Sequence, residues 1–457
     1  MALPEKTQPP RNNHQPIVGG LLIVLLVLSG LFAAPQHTGQ ARGLPAQADP
    51  VPLYTLGRGP IPRGNGRQAL PVALNPAALT NLDGARFGTP VLQFPLPDGR
   101  VLDGALSTFS EKAGESIQAS GKLLNAGFAE WHLVQFGDLV VARMNINGRM
   151  YQILPDETGT YVMIESPPVT EEVDLTLTPP HRPANPLPVA MDAKNISLDV
   201  LVVYTQQASQ AIGGDAAMLA NLALVETEAN YGFQNSLITN RIRLAGAEKI
   251  TYTDPIIVWP PDSSTLKKLT VQGDGVLDQV HSLRDFYHAD IVVMVVDQML
   301  YNGSLVCGQA WQMDSYYFQY ASDVFAEYAF ALVAVPCMVG NYTFTHEIGH
   351  LLGSTHDHNN SGGSSGVFAY SHGYQDPTGA FRTIMAYPYD CPSPCPRINL
   401  WSNPNVLVNG RPAGTPTSAA QPAHNTFSLS QTFGVAQGFT MALDLGFNFF
   451  LPIVDNR

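Results

Sequence analysis

Positive charge is scarce in this sequence. Lysine and arginine total 24 of 457 residues against 37 Asp and Glu, a formal net charge of −13. No Lys/Arg-rich block occurs, which speaks against nucleic acid as a partner. Charged residues as a whole are few, 13% against 45% hydrophobic. That balance excludes bulk disorder and allows a globular core, and the length allows two or three domains. Cysteine is rarer still, at Cys307, Cys337, Cys391 and Cys395. An even number permits two disulfides in three connectivities. The expected pairing is a tight Cys391–Cys395 loop shaped by Pro392 and Pro394, with Cys307–Cys337 as the second bridge. A four-thiolate zinc site would need paired CxxC knuckles, which are missing.

Long apolar runs are also rare. The clearest, Ile17 to Ala34, follows Lys6 and Arg11 and ends in small residues at Ala33 and Ala34. It reads as an export signal over 1–41, cut after Ala34 or near Gly39-Gln40-Ala41. An uncleaved anchor is the alternative, since the run is near the lower limit for spanning a bilayer. Either way the remainder is expected outside the cytoplasm, and a stable membrane partner only if the run stays attached.

Residues 42–70 are rich in Pro, Gly and Arg and read as a flexible lead-in. From 71 to 165 short apolar or alternating runs (Trp131–Phe136, Leu139–Asn145, Met150–Leu154, Tyr161–Ile164) are separated by turn residues. Asn147-Gly148 is a strong hairpin signal among them. Residues 166–197 carry seven prolines from Pro167 to Pro188 and read as a linker holding the acidic cluster Glu171, Glu172 and Asp174. Leu198–Tyr204 then opens a strand–helix–strand–helix–strand pattern. It comprises an amphipathic helix over Asp215–Tyr231, strands at Arg241–Ala247, Ala289–Val296 and Ala329–Val335, and a helix over Leu277–His288. A last helix spans Ala423–Leu443, and an apolar tail closes the chain at 446–457.

The chemistry is concentrated in His346-Glu347-Ile348-Gly349-His350-Leu351-Leu352-Gly353-Ser354-Thr355-His356-Asp357. Histidines four apart lie on one helix face, so His346 and His350 can reach one ion. Gly353 can take a left-handed conformation and turn the chain back, letting His356 supply a third nitrogen. Three nitrogens leave a fourth position open, the pattern of a catalytic zinc. Glu347 stands beside the first ligand, placed to act on water. His358 and His372 are nearby alternatives with less suitable spacing. Asn359–Gly366 could form a calcium loop only with more regular carboxylates than it has.

This stretch resembles the metzincin zinc peptidases, and Asp357 after the third histidine is the reprolysin-like variant. Thr383-Ile384-Met385-Ala386-Tyr387 resembles their Met-turn, and Cys391 to Pro404 resembles bacterial peptidyl-Asp metallopeptidases. The resemblance covers roughly 198–445. It implies an α/β (α+β) metzincin-like catalytic domain with a twisted mixed sheet and a zinc helix, behind a small β-rich pro-region at 42–165. It also implies one zinc ion on His346, His350 and His356, with Glu347 as general base and extended polypeptides as substrates. Met385 forms a floor beneath the metal, Asp357 anchors the loop of His356, and Tyr387 either steadies the oxyanion or only packs. In that family the edge strand before the zinc helix pairs with substrate, here near Ala329–Val335. Arg382 and Arg397, flanking the Met-turn, either read an acidic residue on the primed side or form surface ion pairs. Phe136-Gly137-Asp138 is similar to the zymogen aspartate of astacin-like relatives, with a hairpin turn as the simpler account. A cysteine switch is excluded, because no cysteine precedes Cys307. Cleavage of its own linker, before Glu171–Asp174 or before Asp192, is expected. A zinc amidohydrolase acting on a non-peptide substrate, or an exported binding or adhesion protein, are the competing functions.

Overall fold

A computed structural model describes residues 49–62, 68–82, 85–112, 116–156, 158–166, 173–182 and 195–440. The segment read as an export signal, Glu171, Glu172, Asp192 and the apolar tail lie outside the described residues.

The first sheet begins with β1 (Val51–Pro52), β2 (Tyr54–Leu56), β3 (Ile61–Pro62) and β4 (Gln68–Leu74), before a short helix α1 (Pro76–Thr80). The expected flexible lead-in is therefore partly sheet. Tyr54 is fully buried and its hydroxyl donates to the Pro95 carbonyl at 2.8 Å. The prolines and glycines there punctuate short strands. An antiparallel meander follows: β5 (Pro90–Pro95), β6 (Val101–Lys112), β7 (Ser116–Leu123), β8 (Ala129–Phe136), β9 (Leu139–Ile146), β10 (Arg149–Pro155) and β11 (Tyr161–Ser166). Asn147 and Gly148 both have positive φ and turn β9 into β10, as a two-residue hairpin loop requires. Gly137, with φ +58°, and Asp138 form the two-residue loop that turns β8 into β9. Asp138 is thus a hairpin residue, and the zymogen role considered for it does not hold.

The second sheet has the order β12 (Val173–Leu177), β17 (Ser304–Trp311), β18 (Phe330–Ala334), β15 (Ile291–Val296), β13 (Ser197–Thr205), β14 (Arg241–Ile250), with β16 (Leu300–Tyr301) beside β17. Neighbours from β18 to β14 run parallel, β17 is antiparallel to β18, and β12 is parallel to β17. The strand preceding the zinc motif is therefore interior, with partners on both sides. Its apolar sequence fits that position, since all five of its residues are buried. Strand β17 would be the edge of this sheet but for β12, which lies inside the segment expected as a linker and pairs along it.

Between β13 and β14 the chain forms α2 (Gln206–Ile212) and α3 (Asp215–Asn235). Helix α3 is not the one-sided helix that its apolar spacing suggests. Fourteen of its 21 residues are buried, among them Glu226 and Glu228. It packs on β14 with one side and on β7, β8 and β9 of the first sheet with the other. Polar contacts cross that second boundary. Arg143 on β9 pairs with Glu228, and Gln152 Nε2 donates to Asn221 Oδ1 at 2.9 Å. The remaining elements are α4 (Thr265–Thr270), α5 (Asp278–Tyr287), α6 (Ser315–Tyr320), α7 (Ser322–Phe325), α8 (Val335–Met338), α9 (Thr343–Leu351), the hairpin β19 (Asn403–Val408) and β20 (Arg411–Ala413), and α10 (Asn425–Ala436). Both expected disulfides are present, with Cα atoms 5.3 Å apart for Cys307–Cys337 and 6.1 Å for Cys391–Cys395.

One buried acid gives the fold a pH dependence. Burial pushes Asp290 up to about 6, although it accepts the Asp199 amide at 3.0 Å and the Thr440 hydroxyl at 2.8 Å. A raised carboxyl favours folding while it is protonated. Its contribution is complete below its unfolded pKa and is lost as pH rises through about 6. The loss is at most about 3 kcal/mol, from roughly two pKa units. Asp290→Asn should flatten the fall in melting temperature between pH 4 and pH 7. An unchanged slope would assign that fall to other groups.

Candidate metal centre

Helix α9 carries His346 and His350 on one face, both buried. It ends at Leu351, and Gly353 follows with φ +80°. A Cβ on Gly353 would lie 2.1 Å from Val367 Cγ2, so the turn needs glycine for space as well as conformation. The reversed chain brings His356 back over the helix. The Nδ1–H of His346 donates to the Ile384 carbonyl at 2.9 Å, and that of His350 to the Ser354 carbonyl at 3.0 Å. In each, this leaves an Nε2 lone pair facing inward.

Those lone pairs converge. The Nε2 atoms of His346, His350 and His356 lie 3.1–3.3 Å from one another. A fourth atom closes the figure: Asp174 Oδ2 stands 2.9 Å from His346, 3.1 Å from His350 and 2.9 Å from His356. Four ligand atoms at about 2.0–2.1 Å around a tetrahedral zinc stand about 3.3 Å apart. The six separations here are close to that. Four such acceptor atoms tolerate this proximity only around a cation or shared protons, so the donor set fits zinc. Burial alone would raise Asp174, but His356 and His346 outweigh it and hold its carboxyl well below the usual range. Burial pushes His350 down to about 3. It opposes His356 too, but there Asp174 prevails and the net shift is upward.

The neighbours are placed by equally local causes. Glu347 is fully buried, and its carboxylate lies over Gly308 of β17, where a Cβ would be 1.9 Å from Oε1. Beneath the helix, a Cβ on Gly349 would be 2.7 Å from Met385 Sδ, so the missing side chain lets the methionine floor approach. Asp357 Oδ2 accepts the Tyr387 amide at 3.0 Å, and Asp357 Oδ1 accepts Asn360 Nδ2 at 2.8 Å. It thereby ties the His356 loop to the Met385 turn. The Tyr387 ring is 4.3 Å from that of His356, and its hydroxyl accepts the Asp174 amide at 3.2 Å. His358 and His372 stack on each other at 3.7 Å, and His372 Nδ1 donates to the His356 carbonyl at 2.8 Å. Both therefore lie outside the ligand set, and His372 supports His356.

Residues 194–402 match the model of Metallo-peptidase family M12. This segment is similar to the metallopeptidase domains of family M12. The family implies a metal, in agreement with the donor set. Two curated relatives bear the name peptidyl-Asp metalloendopeptidase. That of Xanthomonas campestris pv. campestris is 35% identical over 295 residues, covering 63% of this chain and 65% of the relative. That of Stenotrophomonas maltophilia (strain K279a) is 33% identical over 305 residues, covering 63% and 66%. The chain thus spans just under two thirds of each relative's length.

After the Met385 turn, the chain borders a cavity of about 200 Å³. Arg382, Arg397, Asn341, Pro388 and the Cys391–Cys395 loop line it. Both arginines are buried, 2% and 4% exposed, which rules out the surface ion pairs considered for them. Arg382 Nη1 donates to the Ala386 carbonyl at 2.6 Å, and Arg397 Nη1 to that of Asn341 at 3.0 Å. Two guanidiniums therefore face a pocket beside Tyr387. Asn145, Gly148 and Met150 of the first sheet lie at the same cavity, and Met150 Sδ sits where a Cβ on Gly340 would be, 1.7 Å away.

Asp174 is the site residue that sequence reading missed. It precedes His346 by 172 residues, inside an acidic, proline-rich stretch that reads as solvated. The only local signal was Val173–Leu177, an alternating five-residue run within that stretch.

Proposed function

We propose that this chain is an exported, zinc-dependent endopeptidase of the reprolysin-like kind that cuts beside acidic residues. The observation that carries the activity is the convergence of three buried imidazoles, with the Glu347 carboxylate against β17. His346, His350 and His356 hold the ion. When bound, zinc supplies Lewis acidity, bringing water within reach of deprotonation near neutral pH and withdrawing electrons from a carbonyl. Glu347 takes the proton from the attacking water and returns one to the departing amine. An extended substrate lies along β17, using the backbone groups that β12 uses here. The Tyr387 hydroxyl, already directed at that strand's backbone, donates to the developing oxyanion. The pocket of Arg382 and Arg397 receives an acidic side chain, in keeping with the names of the relatives, because guanidiniums pair carboxylates with direction as well as charge. The unit at 42–165 acts as a pro-region.

The test is a digest of a peptide library by the zinc-loaded, processed protein, with cut sites read by N-terminal profiling. Cuts should cluster at acidic primed residues, stop with a chelator and return with zinc. Arg397→Gln should lower kcat/KM for an Asp-bearing peptide by roughly 30-fold or more, the cost of leaving a desolvated charge unpaired. The matching Asn peptide should change far less. A preference for apolar primed residues would reject the acidic pocket and leave the peptidase reading intact.

A further inference from the structure

The metal centre of this chain is completed by a residue from outside the M12 segment. We propose that Asp174 is a fourth metal ligand, and that its strand, Val173–Leu177, thereby keeps the centre closed until it is withdrawn. The proposal rests on the zinc reading above and adds a regulator to it.

Three observations carry it. First, Asp174 Oδ2 lies within 3.1 Å of each of the three ligand nitrogens, as a fourth vertex. Second, the segment is seated as a strand. Strand β12 pairs with β17 from Val173 opposite Val306 to Leu177 opposite Trp311, and the register shifts between Val173 and Asp174. The shift leaves Cys307 of β17 as the extra residue and sets Asp174 opposite Gly308, the glycine under the Glu347 carboxylate. Third, the seating continues beyond the strand. Gln312 N donates to the Leu177 carbonyl at 2.7 Å, Tyr317 Oη to that of Pro180 at 2.7 Å, and His181 pairs with Asp314 at 2.7 Å.

The group offered to the imidazoles is a side-chain carboxylate, not a peptide carbonyl, so the strand is held without presenting a bond to be cut. Self-cleavage just before Asp174 is therefore excluded within the molecule while the strand is seated. A cut near Asp192 leaves the contact intact and permits later release. The β9–β10 hairpin lines the arginine pocket in the same state.

The experiment compares wild type with the near-isosteric Asp174→Asn. Both are loaded with zinc, then with cobalt(II), as full-length chains carrying Glu347→Gln to prevent processing. Zinc release to a chelator should be at least on the order of 10-fold faster in Asp174→Asn, since even residues that only support a ligand are worth 10–100-fold. The cobalt absorption bands should shift. In parallel, the Asp174-bearing chain is followed by hydrogen exchange with and without zinc. Amides at 174–177 should lose protection when zinc is removed, while β8 keeps its own. Equal release rates and identical cobalt spectra would overturn the proposal even if the variant is otherwise altered. So would exchange at 174–177 that ignores zinc in the Asp174-bearing chain. If that chain binds no zinc at all, the metal reading fails with it, and the two failures are distinguishable.

Discussion

Glu347→Gln is expected to remove peptide hydrolysis while leaving zinc bound. The substitution keeps the size of a fully buried side chain packed on Gly308. It also leaves His346, His350 and His356 untouched. What it deletes is a carboxylate able to take a proton, and general-base catalysis of this kind is worth about 10²–10⁴ in rate. The measurement is kcat on an Asp-containing peptide with processed enzyme, with zinc content determined on the same sample. Substantial turnover with zinc still bound would sink the general-base role. Side-by-side expression of the two forms adds a second readout, the N-terminus of each product. If both are trimmed alike, another protease removes the pro-region. If neither is trimmed yet the wild type is active, the first sheet is a permanent domain.

The largest stability effect is expected at Arg143. Its guanidinium and the Glu228 carboxylate form an ion pair between the first sheet and α3, with side chains 0% and 1% exposed. Around them, His132 Nε2 contacts Glu130 Oε1 at 3.0 Å, and Glu130 Oε1 also accepts the Tyr342 hydroxyl at 3.0 Å. Burial already pushes Glu228 up, with Arg143 opposing that rise. Arg143→Met leaves the carboxylate buried beside Glu130 and should cost about 3–5 kcal/mol. The cost should be greater at pH 8 than at pH 5, because the stranded Glu228 escapes by protonation. Adding Glu228→Leu should recover most of the loss, since apolar replacement of a whole buried pair is often near neutral. Denaturant unfolding of the four forms checks this. A loss under about 1 kcal/mol for Arg143→Met would show the pair to be solvated, as exposed pairs are.

Retention of Arg143 and Glu228 also bears on the pro-region. Arg143 and Gln152 of the first sheet hold Glu228 and Asn221 of α3 within a buried boundary, so a cut in the segment between the two sheets need not separate them. Release of Asp174 and release of the first sheet are therefore distinct events.

What the sequence determined by itself was local. The spacing of His346 and His350, the glycine turn at Gly353 and the return to His356 depend on helical periodicity and one backbone preference. The Asn147-Gly148 hairpin and the Cys391–Cys395 loop are equally short-range. So the ligand nitrogens and much of the meander could be read residue by residue. What only the tertiary structure decided was everything set by partners distant in the chain. Strand order made β18 interior and β17 the edge, because pairing depends on which strands meet and not on how apolar each one is. Two sheets bury α3 on two sides, polar residues such as Asn221 and Glu228 included, though its own spacing suggested one buried face. Asp174 looked like one acid among three in a linker. Its carboxylate stands among the three imidazoles because β12 pairs with β17, a strand about 130 residues further on, which no local pattern foretells.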